Sequence, residues 1–518
     1  MYYYILYINI SVVKCICERI IKMASIRTSV TTKKLEMKPV PLLVLLLSFK
    51  PEGAKSKEDG VQMITTGKEY WYNVCFGDEG YTLKNFYKEM SGGKFYFEPA
   101  KVLGTDTPGV LEVVLDIPHP DRMNQDMPGK NHGTAFYCIA EALKKADPYI
   151  DFAYYDNDKG GSLSSDEFNV LLIHAGYDIS GGKHFTDDLR WGVYANCGSL
   201  PDDEHQDGII GAIAPELDGV KLCAKGIGCY TLVGEYRQMG GEFIPHPIGT
   251  IAHELGHSIG FHDVYDYDRQ VVGWPLPYMF SLMGHGNYGN VKAENDVLKG
   301  SVPQHLDPFQ KIQSGFVVPE EVNENGEYII RSLSREDSNI LKINTPDPKE
   351  YFLLENRQME GFSKGLFRRR CIVKEDGSLS DVCENYEQGG VIIWHIDEDI
   401  FDRYSAIKRT NGSGFFNPDT EEEDETSRHD PGIVTLFKNG FDENGLLKND
   451  GKFVLGYPED PFFRGGDVFN SNEYVSAATH TKSLNSFPEG VSPDTYNLKI
   501  EFIEDNGEEM KIRVTQTK

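Results

Sequence analysis

The chain has 518 residues with 40% hydrophobic and 12% aromatic content, enough apolar matter to bury the cores of two or three domains and too much for a disordered chain. A formal net charge of -28 opposes nucleic-acid binding and attraction to an anionic membrane surface. The apolar runs are too short to span a bilayer, so no stable membrane insertion is expected.

Residues 1–37 read as an N-terminal segment, a signal or a short pro-segment. Tyr2 to Val13 is apolar enough for a signal core but follows no basic stretch, and Met23 offers an alternative start. Val40 to Phe49 reads as a buried strand. Thr82 caps a helix that runs to Met90, with Leu83, Phe86, Tyr87 and Met90 on one face and Gly92-Gly93 as its stop. Lys94 to Phe97 and Leu111 to Ile117 read as strands, and a second helix spans Thr134 to Ala146.

Asp156 to Glu167 follows the template of a calcium loop. Asp156, Asp158, Ser162 and Glu167 supply oxygens along a loop that curls so that they converge on one hard cation. Gly160 removes one customary ligand, and Asn169 to Gly176 reads as a strand where an exit helix is usual. A solvated Asp/Gly turn is the plainer alternative. From Tyr177 to Gly241 the expectation is loops around a few short strands.

Ile248 to Asp263 carries the strongest chemical signal. His253 and His257 are four apart and so share one helix face, where two neutral imidazoles can hold one Zn²⁺ with Glu254 beside them as general base. Gly260 can adopt positive φ and turn the chain back to the metal. Asp263, ten residues after the first histidine, stands at the third-ligand position of the metzincin pattern, with His262 as its neighbouring competitor. Met283 lies in a turn of the kind that floors such sites, and His285 and Tyr288 follow as candidate stabilisers of the transition state.

Beyond Phe316, short runs at Glu327–Ile330, Tyr351–Leu354, Val391–Ile396 and Leu498–Ile503 alternate with turn residues and predict a β-sandwich-like domain. Glu421 to Glu425 reads as an exposed acidic loop, Arg368-Arg369-Arg370 as a basic turn and Asn411 as a glycosylation sequon. Among the nine cysteines, Cys223 with Cys229 and Cys371 with Cys383 are spaced for local disulfides.

Together these segments resemble the immune inhibitor A-like secreted metallopeptidases. The resemblance is carried by the His253–Asp263 motif, Phe86 to Phe95, the loop leading into Leu172-Ile173-His174-Ala175-Gly176, Tyr351 to Arg357 and Gly389 to Asp397. It implies an α+β chain: a metzincin-like zinc peptidase domain over 38–315, with a mixed sheet, an active-site helix and structural Ca²⁺, then a β-rich domain over 316–518. Two features depart from it: His262 stands where proline is expected, and Phe367 to Glu387 looks inserted. About forty residues precede the first strand, too few for a long inhibitory propeptide within this sequence. The expected function is a secreted, monomeric zinc endopeptidase acting on proteins or peptides. The competing readings are a non-catalytic, calcium-dependent adhesion protein on the same scaffold and a zinc peptidase restricted to chain ends.

Overall fold

The computed structural model describes residues 35–120, 131–178, 192–193, 195–201, 213–239, 242–264, 278–292, 294–295, 298–373, 379–398, 433–436, 462–471 and 497–517. The signal reading, the acidic run Glu421 to Glu425 and the Asn411 sequon lie outside these residues.

The first half is built on an eight-stranded, mostly parallel sheet. At its centre β1 (Pro39–Phe49) pairs in parallel with β4 (Asn169–Asp178) on one edge, and with β2 (Tyr96–Pro99) and then β3 (Val110–Leu115) on the other. Further out, β4 runs parallel to β6 (Tyr230–Met239). The antiparallel β7 (Glu242–Pro245) and β5 (Asn196–Gly198) both lie along β6.

The unbroken apolar run of β1 follows from burial on both faces. Val40, Leu42, Val44 and Leu46 pack on one side with α2 (Leu83–Met90) and α4 (Ile248–Ser258), while Leu43, Leu45, Leu47 and Phe49 pack on the other with α3 (Asn131–Ala146). Helix α2 forms where its sequence predicts, with Asn85 N donating to Thr82 Oγ1 at 3.2 Å.

Two elements correct the sequence reading. Helix α1 (Lys68–Phe76) was not expected, because its aromatic residues favour helix weakly. Burial of Trp71, Cys75 and Phe76 holds it in place. The ten-residue β6 replaces the expected loops between Tyr177 and Gly241. Its pattern is obscured by Glu235 and Arg237, which are buried charges.

In the second half, two sheets stack face to face. The larger one contains Ile340–Asn344, Glu350–Arg357 and Gly390–Asp397, and the smaller contains Gly326–Arg331, Asn497–Asp505 and Glu509–Thr517. Phe352, Leu354 and Ile393 meet Ile500, Phe502 and Ile512 between the sheets. The opposite face of the larger sheet, through Leu353, Trp394 and Ile396, joins Phe280, Phe309 and α4 in one continuous core. The chain is therefore mixed α+β, with its two halves sharing a core.

A buried charge cluster lies within that junction. Arg357 donates to the carbonyl of Phe280 at 2.8 Å and to Glu355 Oε1 at 2.5 Å, and Lys311 Nζ stands 3.7 Å from Glu355 Oε2. All three side chains are buried, and desolvation pulls the Lys311 ammonium down to about 8, against the attraction of Glu355. Removing one partner leaves a buried charge uncompensated. Arg357→Met should therefore destabilise the protein by about 3–5 kcal/mol, read as a lower urea midpoint.

Candidate metal centre

Helix α4 starts after Pro247 and buries Ile248, Ile251, Ala252 and Leu255 against the sheet. Two glycines let its other side approach the turn from Ser281 to Tyr288. A Cβ at Gly249 would sit 1.9 Å from the Asn287 carbonyl oxygen, and one at Gly256 would sit 3.0 Å from Met283 Sδ. Tyr87 Oη donates to the carbonyl of Ala252 at 2.8 Å, tying α2 to the same turn of helix. After Ile259 the chain reverses through Gly260 (φ 103°), and Phe261 N donates to Gly256 O at 2.9 Å. This brings Asp263 back beneath the two histidines.

His253 Nδ1 lies 2.9 Å from Leu282 O, and His257 Nδ1 lies 2.9 Å from Phe261 O. A carbonyl only accepts, so each Nδ1 carries a proton, and in the neutral ring the lone pair is left on Nε2. Both Nε2 atoms converge on Asp263 Oδ1, at 3.1 and 3.2 Å. Ligand atoms of His253, His257 and Asp263 all lie within 4.8 Å of one another. Burial alone would raise the Asp263 carboxyl, yet the two imidazoles hold it well below the usual range. Burial likewise lowers His257, but Asp263 overrides it and holds the ring at about 9.

His262 does not join this cluster. Its backbone is clamped by Gln310, with His262 N donating to Oε1 at 2.7 Å and Nε2 donating back to His262 O at 3.0 Å. Burial pushes its ring down to about 4. Gln310 is itself held by Asp307, which caps α5 (Pro308–Ser314) and accepts from Ser281 Oγ at 2.9 Å. One carboxylate thus steadies both the Met283 turn and the loop that carries Asp263.

Glu254 stays partly open to solvent, and burial raises its carboxyl against the pull of His253 and His257. Tyr288 lies beside α4 with the Arg237 guanidinium 4.8 Å over its ring, and Arg237 Nη1 donates to Thr250 Oγ1 at 3.1 Å. The His285 ring is 6.2 Å from that of Tyr288. Sequence reading missed Arg237 and also the buried pair His246 Nε2 and Asp178 Oδ2, 2.8 Å apart. Neither stands at motif spacing.

The cysteines differ from expectation. Cys223 and Cys229 are not bonded to each other. Cys229 instead lies 3.8 Å from Ser199 Oγ, with Cys197 on the adjoining strand two residues before that serine. Cys371 and Cys383 occupy different rungs of a hairpin, with Asp381 and Arg369 as their register partners. This hairpin is the segment that looked inserted.

In the acidic loop, Asp156, Asp158 and Glu167 bring ligand atoms within 4.8 Å of one another. Gly160 N donates to Asp156 Oδ1 and Asp158 Oδ1, and Glu167 accepts from Asn157 N and Ser164 N. Ser162, between them in the loop, has its backbone bridged to Lys221. Just beyond, Asn169 Oδ1 accepts from Ser258 Oγ at 3.0 Å, joining this loop to the end of α4.

No family model matches the chain. It is similar to Immune inhibitor A of Bacillus thuringiensis subsp. alesti, with 26% identity over 299 residues, 54% of this chain. Those residues cover 40% of that relative, so the chain spans less than half of its length.

The two helix glycines make a graded prediction. Gly249→Ala meets a fixed carbonyl and should destabilise by about 1–3 kcal/mol, whereas Gly256→Ala meets a flexible thioether and should cost less. Thermal unfolding of both variants checks the order, and an equal or reversed loss would refute this packing account.

Proposed function

We propose that the chain is a zinc-dependent endopeptidase with Glu254 as its general base. The observation that carries this reading is the convergence of His253 Nε2, His257 Nε2 and Asp263 Oδ1, each imidazole oriented by a carbonyl on its other nitrogen. Once His257 gives up its proton on metal binding, two imidazoles and one carboxylate suit Zn²⁺ in chemistry and number, and three protein ligands leave a position for water. The similarity to Immune inhibitor A supports the same reading. In it, residues 38–315 form the catalytic domain, metzincin-like in kind, and residues 316–518 a β-rich support. Substrates would be proteins or peptides met outside the cell.

When bound, the metal would supply Lewis-acid polarisation of the scissile carbonyl and a more acidic water. His253, His257 and Asp263 would hold it. Glu254, raised by burial and partly open, accepts a proton from the attacking water and returns it to the leaving amine. Tyr288, backed by Arg237, and His285 are the groups proposed to meet the developing oxyanion. Met283 forms an apolar floor against Gly256.

Casein hydrolysis by the whole chain, with zinc content measured in parallel, tests this function. Glu254→Gln should keep zinc and lose activity by about 10²–10⁴-fold. Asp263→Ala should lose zinc, and His262→Ala should retain it. Zinc binding with no cleavage of any protein would favour the adhesion-scaffold reading, and cuts confined to chain ends would favour an exopeptidase.

We further propose Ca²⁺ at Asp156, Asp158 and Glu167 as a structural ion supporting the end of α4 through Asn169 and Ser258. Calcium should raise the unfolding temperature of the wild type but not of Asp156→Ala. No calcium effect in the wild type would remove the site.

A further inference from the structure

Strand β5 lies along β6, and Cys197 pairs with Thr231 in that register. Cys229 falls two residues before Thr231, so its side chain shares a face of the ladder with that of Cys197. Ser199 Oγ stands 3.8 Å from Cys229 Sγ, and each thiol acts electrostatically on the other. Both cysteines are half-buried, in contrast to the fully enclosed Cys75, Cys138 and Cys223. The pair also borders the candidate metal centre, close enough for Cys197 to feel the charge of Glu254 and Cys229 that of His257.

We propose that Cys197 and Cys229 are a redox-responsive dithiol that small-molecule disulfides oxidise to an intramolecular cystine. The two thiols are chemically unequal. The thiol of Cys197, aided by Ser199, holds Cys229 at about 7 against its burial, while Cys197 is driven well up by Cys229 and by desolvation. Cys229 is thus the attacking thiolate and Cys197 the resolving thiol.

The exchange balances without an outside electron acceptor beyond the reagent. Cys229 sulfur bonds to one sulfur of the external disulfide, whose S–S bond breaks and releases one thiol. Cys197, losing its proton, then attacks Cys229 Sγ and expels the second thiol. Two protein thiols are oxidised and one external disulfide is reduced to two thiols. The new bond would staple β5 to the start of β6 next to the metal-bearing helix, closing a loop that contains the 213–228 segment.

Treatment of the whole protein with oxidised glutathione, followed by peptide mapping under non-reducing conditions, tests the proposal. The expected product links the Cys197 and Cys229 peptides, and Cys223→Ser should leave that link intact. Cys197→Ser should trap a glutathione adduct at Cys229 instead. The unfolding temperature should rise on oxidation by roughly several degrees in the wild type and return with dithiothreitol, and Cys197→Ser should not respond. A pair that stays reduced, a Cys223–Cys229 link, or an equal thermal response in Cys197→Ser would overturn the proposal. These readouts need neither zinc nor peptidase activity, so they stand or fall apart from the proposed function.

Discussion

The close approach of α4 to the turn from Ser281 to Tyr288 is the constraint on which the centre depends. Only with hydrogen at Gly249 and Gly256 do the helix and turn meet, and only then does Leu282 offer its carbonyl to His253 Nδ1. That hydrogen bond fixes both the orientation and the tautomer of the ring, so that Nε2 faces Asp263 and, in the neutral ring, keeps its lone pair. A packing requirement at two small residues therefore becomes an electronic property of a neighbouring histidine. Asp307 extends the same logic, since its carboxylate holds Ser281 on one side and Gln310, and through it His262, on the other. The side chain of His262 is not required for this support; its backbone is.

Charge in this protein is used inside as well as outside. Lys311, Glu355 and Arg357 are sealed between the larger C-terminal sheet and the floor of the centre, where Arg357 also reaches the carbonyl of Phe280. Such clusters stabilise poorly compared with apolar packing but define one arrangement sharply, because any slip leaves a charge without its partner. The geometry under Met283 is accordingly specified by residues far along the chain.

What could be read from the sequence was whatever obeys a local rule. Helix α2 has its Thr82 cap and evenly spaced apolar residues, β1 is a run too apolar to be anything but enclosed, and the His253–Asp263 spacing is set by one helix and one turn. What escaped was whatever depends on distant partners. Helix α1 exists because Trp71 and Phe76 find a core, in spite of weak propensity. Strand β6 hides behind Glu235 and Arg237, whose burial is matched by Thr65, Thr66 and Thr250 from other segments. The meeting of Cys197 with Cys229 is likewise a product of strand register, and cysteine spacing pointed to Cys223 in its place.

The shared core also sets an order in time. During synthesis the ribosome delivers both histidines and Asp263 well before Arg357, Trp394 and Phe462, which cover the far side of Phe280 and the Met283 turn. A nascent chain holding His253, His257 and Asp263 still lacks the surface that presses the turn against α4. The backing of the turn is therefore encoded after the residues it supports, in the second half of the polypeptide.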